Sequence, residues 1–63
     1  MSEHPELFIT TTHGMRGWFA VMMEHNGTFA EPVNTGFGSY KTRDEAKVEA
    51  RSWAEAEELE YRE

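Results

Sequence analysis

Three histidines, His4, His13 and His25, are the residues of this chain best suited to bind a transition metal or to move a proton near neutral pH. None is followed at helical spacing by a second ligand, and the chain has no cysteine, so neither a histidine pair nor a thiolate site is expected. Serine occurs as Ser2, Ser39 and Ser52, none within a nucleophile motif. Gly36-Phe37-Gly38 has the G-x-G spacing of a phosphate loop, yet no third glycine and no Gly-Lys-Ser/Thr follows it. Those glycines read instead as a crossing from sheet to helix, with Phe37 and Tyr40 closing the core. The abundant glutamates offer carboxylate pairs, but a chain of 63 residues has little room for a substrate cleft. The expectation is a protein without catalytic, cofactor-binding or metal-binding residues.

Any surface this chain uses must be positioned by a small number of elements. Residues 42–57 carry the one sustained helical period, opened by a capping box in which Thr42 and Glu45 exchange hydrogen bonds. At 100° per residue, Ala46, Ala50, Trp53 and Ala54 share one face, with Lys47 and Arg51 to one side and Glu45 and Glu49 to the other. Alanines allow close backbone approach, and Trp53 would supply most of the buried area. Glu57 would enter the apolar stripe, so the packed helix ends near it. Leu59 and Tyr61 then alternate with glutamates as a short strand or a last turn.

Ahead of the helix, residues 1–5 read as a loose tail and residues 6–63 as a single domain. Residues 7–12 combine β-branched and aromatic side chains in a run of strand length. His13-Gly14-Met15-Arg16-Gly17 marks a turn, and residues 18–25 form the most apolar strand. Asn26-Gly27 predicts a two-residue type I′ turn that pairs His25 with Thr28. A third strand follows over residues 28–31, with a break or bulge at Pro32, which has no amide to give, and a resumption near Val33. The fold class is therefore α+β: a three-stranded antiparallel meander, with a fourth C-terminal strand as an option, packed on one face by a single C-terminal helix.

One helix covers one face of a sheet, so the side chosen decides the binding surface. The odd residues Phe19, Val21, Met23 and Ala30 form an uncharged run and are expected against the helix. Trp18, Met22, Phe29 and Val33, interrupted by Glu24 and Glu31, then form an exposed face suited to a protein partner or a second copy of the chain.

Composition limits the partners. Twelve acidic against six basic residues give a formal charge of −6, which disfavours direct contact with a nucleic acid backbone. Glu55, Glu57, Glu58, Glu60 and Glu63 cluster at the C-terminal end and offer a second surface, an acidic decoy for a basic, nucleic-acid-binding protein. No secretory leader and no run of roughly 20 apolar residues is present, so a cytoplasmic protein without a membrane partner is expected. In size, acidity and lack of a catalytic constellation the chain resembles small phage or mobile-element proteins that inhibit host machinery, a resemblance of type that involves no particular motif. The functional expectation is a non-enzymatic protein-binding module, an inhibitor or modulator of a larger complex. The acidic decoy and a homo-oligomeric structural protein are the alternatives.

Overall fold

The computed structural model describes residues 6–63; the expected tail over residues 1–5, with His4, lies outside the described residues. Five elements follow one another: β1 (Glu6–Gly14), β2 (Gly17–His25), β3 (Ala30–Thr35), α1 (Arg43–Glu57) and β4 (Glu60–Tyr61). They form one sheet of order β3-β2-β1-β4, antiparallel across the first three strands, with β4 parallel to β1. The C-terminal segment is thus a strand. Helix α1 packs on one face of this sheet, against β1 and β2.

Both helix ends follow from local chemistry. Thr42 accepts the Glu45 amide at 3.2 Å, and the Glu45 carboxylate takes the Thr42 amide at 3.3 Å, completing the capping box. At the other end Glu58 adopts the left-handed conformation, φ 60°. There the amide of Leu59 donates to the Ala54 carbonyl at 2.8 Å, the long bond that closes a helix and reverses the chain. That reversal sends Leu59 back to the sheet and sets β4 beside β1.

The second hairpin departs from the expected turn, and the reason lies in the first. Met15 and Arg16 form a two-residue connection between Gly14 and Gly17. A strand residue points its N–H and C=O to the same side, so this turn commits Phe19, Val21, Met23 and His25 to β1 and leaves the even residues for β3. Accordingly, Trp18 exchanges both backbone bonds with Tyr40 at 2.7 Å, and the Ala20 carbonyl accepts from the Gly36 amide at 2.8 Å. A turn on Asn26-Gly27 would need the groups of His25, which already face β1. The turn therefore slides by one residue: Asn26 donates to the Phe29 carbonyl at 3.0 Å, and His25 pairs with Ala30 instead of Thr28. Gly27 supplies φ 83° beneath a Thr28 to Asn26 bond of 2.9 Å, the signature of a γ-turn.

β3 is an edge strand exposed throughout. Pro32 sits opposite Met23, a pair that needs no amide from it, and the ladder slips one residue later, with Val33 as the extra residue of a bulge.

The core lies between α1 and the opposite face from the expected one. Ile9, Ala20, Ala50 and Ala54 form the buried cluster, with Met22, Trp53, Leu59 and Tyr61 packed around it. The even residues of β2 thus meet the helix, and the expectation that Phe19, Val21 and Met23 would do so is overturned. The small Ala20 opposite an alanine stripe lets two backbones approach, whereas Phe19, Val21 and Met23 would hold the helix away. Trp53 flanks this contact half-buried and does not fill its centre.

Two backbone positions give opposite expectations. A Cβ on Gly17, at φ 118°, would collide with the Tyr40 carbonyl oxygen, so Gly17→Ala should lower stability by about 2 to 4 kcal/mol. Glu58→Gly should raise it by about 0.5 to 1 kcal/mol by relieving the left-handed residue. Thermal melts followed by circular dichroism check both, at roughly 4–8 °C per kcal/mol in a domain of this size.

Candidate functional site

Strand pairing assigns every side chain to a face. Opposed pairs share a side, so Phe8 and Met23, Thr10 and Val21, and Thr12 and Phe19 lie together on the face away from the helix. Pro32, opposite Met23, and Thr35, opposite Val21, extend this face onto β3. Here they enclose a shallow groove of ≈ 420 Å³ whose walls include Phe19, Met23 and Pro32. Val21 forms the floor and is only 3% exposed even though no element among the described residues covers this side, because its neighbours crowd over it.

One rim of the face carries charge that is neutralised locally. The Arg62 guanidinium lies 4.4 Å from the centre of the Phe8 ring and donates to Glu6 at 2.8 Å and to Glu60 at 3.0 Å. Its already high pKa is raised further, first by the bond to Glu60 and then by that to Glu6. The middle of the face, around Val21, carries no charged side chain.

The apolar surface does not stop at the groove. Phe19 and Thr35 also line a second depression, of ≈ 250 Å³, with Met15 and Phe37, both of which stand fully in solvent. Phe37 in turn borders a third, of ≈ 530 Å³, beside Tyr40, Val48, Glu49 and Trp53 on the flank of α1. Glu49 holds this corner in place. One carboxylate oxygen accepts the Phe37 amide at 2.7 Å and the other the Tyr40 hydroxyl at 2.9 Å, so the crossing loop is tied to the helix. The Tyr40 phenol pKa is raised, chiefly because its proton is held by Glu49, with burial and the nearby carboxylates adding in the same direction.

The residues expected to form a single exposed patch are dispersed. Met22 packs on the core. Trp18 stacks on His13 with ring centres 5.1 Å apart and lies 5.9 Å from the Arg43 guanidinium, on the helix side. Phe29, 59% exposed, sits in the β2–β3 loop, and Val33, 48% exposed, is the bulge residue at the edge. The carboxylates of the C-terminal cluster divide as well. Glu55, Glu57 and Glu58 are exposed, whereas Glu60 binds Arg62 and Glu63 binds Lys47 at 2.6 Å, with Arg43 at 3.8 Å. The Glu63 carboxyl is held below its ordinary pKa, mainly by the Lys47 hydrogen bond.

The true open face was concealed by its composition. Threonines at positions 10 and 12 read as ordinary strand residues, and the uncharged run of β2 read as core. The available signal was Ala20, the smallest side chain in the interior of β2, which alone matches an alanine-faced helix. Glu49 gave no such signal, since its partners Phe37 and Tyr40 are brought to it only by the loop.

Among the described residues, no group of three or more potential ligands is arranged to hold a metal ion. No helix among them is long and apolar enough to cross a membrane. Comparison with known protein families, curated proteins and solved structures gives no match.

The Glu49 tie predicts two separable effects. Glu49→Ala should speed hydrogen exchange at the Phe37 amide by about tenfold or more, while leaving the amides of β1 protected. The raised Tyr40 pKa means its contribution to stability is complete below the usual phenol value of about 10 and is lost as pH rises through the higher folded value. Thermal melts between pH 8 and pH 11.5 (approximate limits set by that value) should therefore show a steeper alkaline loss in the wild type than in Tyr40→Phe.

Proposed function

We propose that this chain is a non-enzymatic protein-binding module that works through the open face of its sheet, as a modulator of a partner and not as a catalyst. The observation that carries the reading is that the single helix covers only the side of Ile9, Ala20 and Met22, leaving Phe19, Val21 and Met23 around an uncharged groove on the other. Contiguous apolar surface of this kind, bordered by polar groups, typically marks an interaction site on a small protein. Aromatic residues and methionine are also the side chains enriched at interface centres. Methionine in particular adapts its shape to what it meets. The absence of cysteine fits action in a reducing, cytoplasmic compartment.

The acidic-decoy reading is supported less well. Such a surface needs carboxylates free to meet a partner's cations, and Glu60 and Glu63 are already engaged by Arg62 and Lys47.

Site-specific photo-crosslinking tests the proposal. A benzophenone side chain at the exposed position of Thr12, on the open face, should capture a discrete protein species, and the same group at Val48, on the helix surface, should not. Equal capture at both positions would remove the open face as the binding surface. The two sides of β2 should also separate by substitution. Met22→Lys buries a charge against the helix and should leave the chain largely unfolded by circular dichroism, at a cost of about 3 kcal/mol or more. Thr12→Arg, with the benzophenone moved to the exposed Thr35 on the same face, should remain folded and lose the capture.

A further inference from the structure

We infer that the occupant of the open face is a second copy of this chain, packed sheet against sheet; this rests on the reading of that face as the binding surface and names its partner. Four observations converge on it. The first is the thinness of the core: the buried apolar residues are Ile9, Ala20, Val21, Ala46, Ala50 and Ala54, and four of these are alanines. A 63-residue chain without disulfides ordinarily needs a further source of burial, and self-association is one of the few available.

The second is area. The strands contribute 9, 9, 6 and 2 residues. At ~3.3 Å per residue and ~4.8 Å between strands, the face covers about 400 Å² before side-chain relief is counted. Met15 and Phe37 adjoin it through Phe19 and are fully exposed. Adding them brings the surface to about 700 Å² per copy, close to the ~800 Å² per partner of a standard specific interface.

The third is charge. Two copies of a chain with formal charge −6 repel wherever carboxylates face one another, so they can meet only through a neutral surface. Here Thr10, Thr12, Phe19, Val21 and Met23 supply one. The nearest charges are the rim of Glu6 and Glu60 around Arg62, which lies over Phe8 on the β4 side, and Arg16 in the turn beside Met15. A two-fold axis parallel to the strands lays that rim over Ala30 and Pro32 on the β3 side of the other copy, which are uncharged. Glu31, opposite Glu24, lies on the helix side and stays out of the contact. The same neutrality offers nothing to recruit a charged peptide.

The fourth is the edge: Pro32 and the Val33 bulge spoil β3 as a template for strand addition, so copies are not directed to extend the sheet from that side.

Sedimentation equilibrium from low micromolar to submillimolar concentration tests this. The wild-type mass should rise from the 7.3 kDa of one chain toward twice that value. Thr12→Arg, which the two-fold axis introduces twice, should weaken the dimer by about a hundredfold or more with an unchanged circular dichroism spectrum. Pro32→Lys repeats the test from another strand of the same face. Val48→Lys, on the helix surface, should leave the dissociation constant within about threefold of wild type. A wild-type chain that stays monomeric at every concentration overturns the inference. If Thr12→Arg then still abolishes crosslinking to another protein, the open face survives as a binding surface with a different occupant. A dimer broken by Val48→Lys and not by Thr12→Arg or Pro32→Lys overturns both readings.

Discussion

The architecture depends on how closely the helix backbone can lie on the sheet. Ala46, Ala50 and Ala54 recur every four residues, one turn apart, and all three are buried. Ala20 faces them from β2, and among the described residues Ile9 is the one large side chain fully enclosed. Close approach of this kind replaces side-chain volume with backbone proximity, so the half-buried Met22, Trp53, Leu59 and Tyr61 must seal its margins. It also consumes the helix. With its apolar stripe fully used on one side, the described residues hold no second element to place over Phe8, Phe19 and Met23.

Electrostatics complete what so thin a core leaves undone. Arg43, Lys47 and Arg51 recur at four-residue spacing along one flank of α1, and each is engaged, over Trp18, with Glu63 and over Tyr61 respectively. The C-terminal segment is thereby held on both of its sides, to the helix through Lys47 and to β1 through Arg62. These are exposed contacts and individually weak, but they bear on the two-residue strand β4, which has little ladder of its own. On the opposite flank the Glu49 carboxylate ties down the loop that crosses from β3 to the helix. The acidic excess is thus partly structural, and the uncharged middle of the open sheet face stands apart from it.

A neutral face on a strongly acidic chain joins these features into one account of function. Carboxylates elsewhere keep such a chain soluble and discourage indiscriminate association. The open groove is then the place where contact is least opposed. Its floor, Val21, is already screened from water by its neighbours, so anything bound there would mainly contact Phe19 and Met23.

Local chemistry was legible in the sequence by itself. The capping box of Thr42 and Glu45, the helix end at Glu57, and the turn between β1 and β2 all follow from interactions within a few residues. The turn at Asn26 was legible only in part: its residues promise a tight reversal, but its phase depends on which side of β2 the first hairpin has already claimed. Only the tertiary structure decided which face of β2 meets the helix. Both faces carry large apolar side chains, and period-two alternation cannot tell the inside from the outside when each is apolar. The choice rests on the fit of Ala20 to an alanine stripe more than two dozen residues away. The same limit hid Glu49, whose role exists only once Phe37 and Tyr40 have been folded onto it.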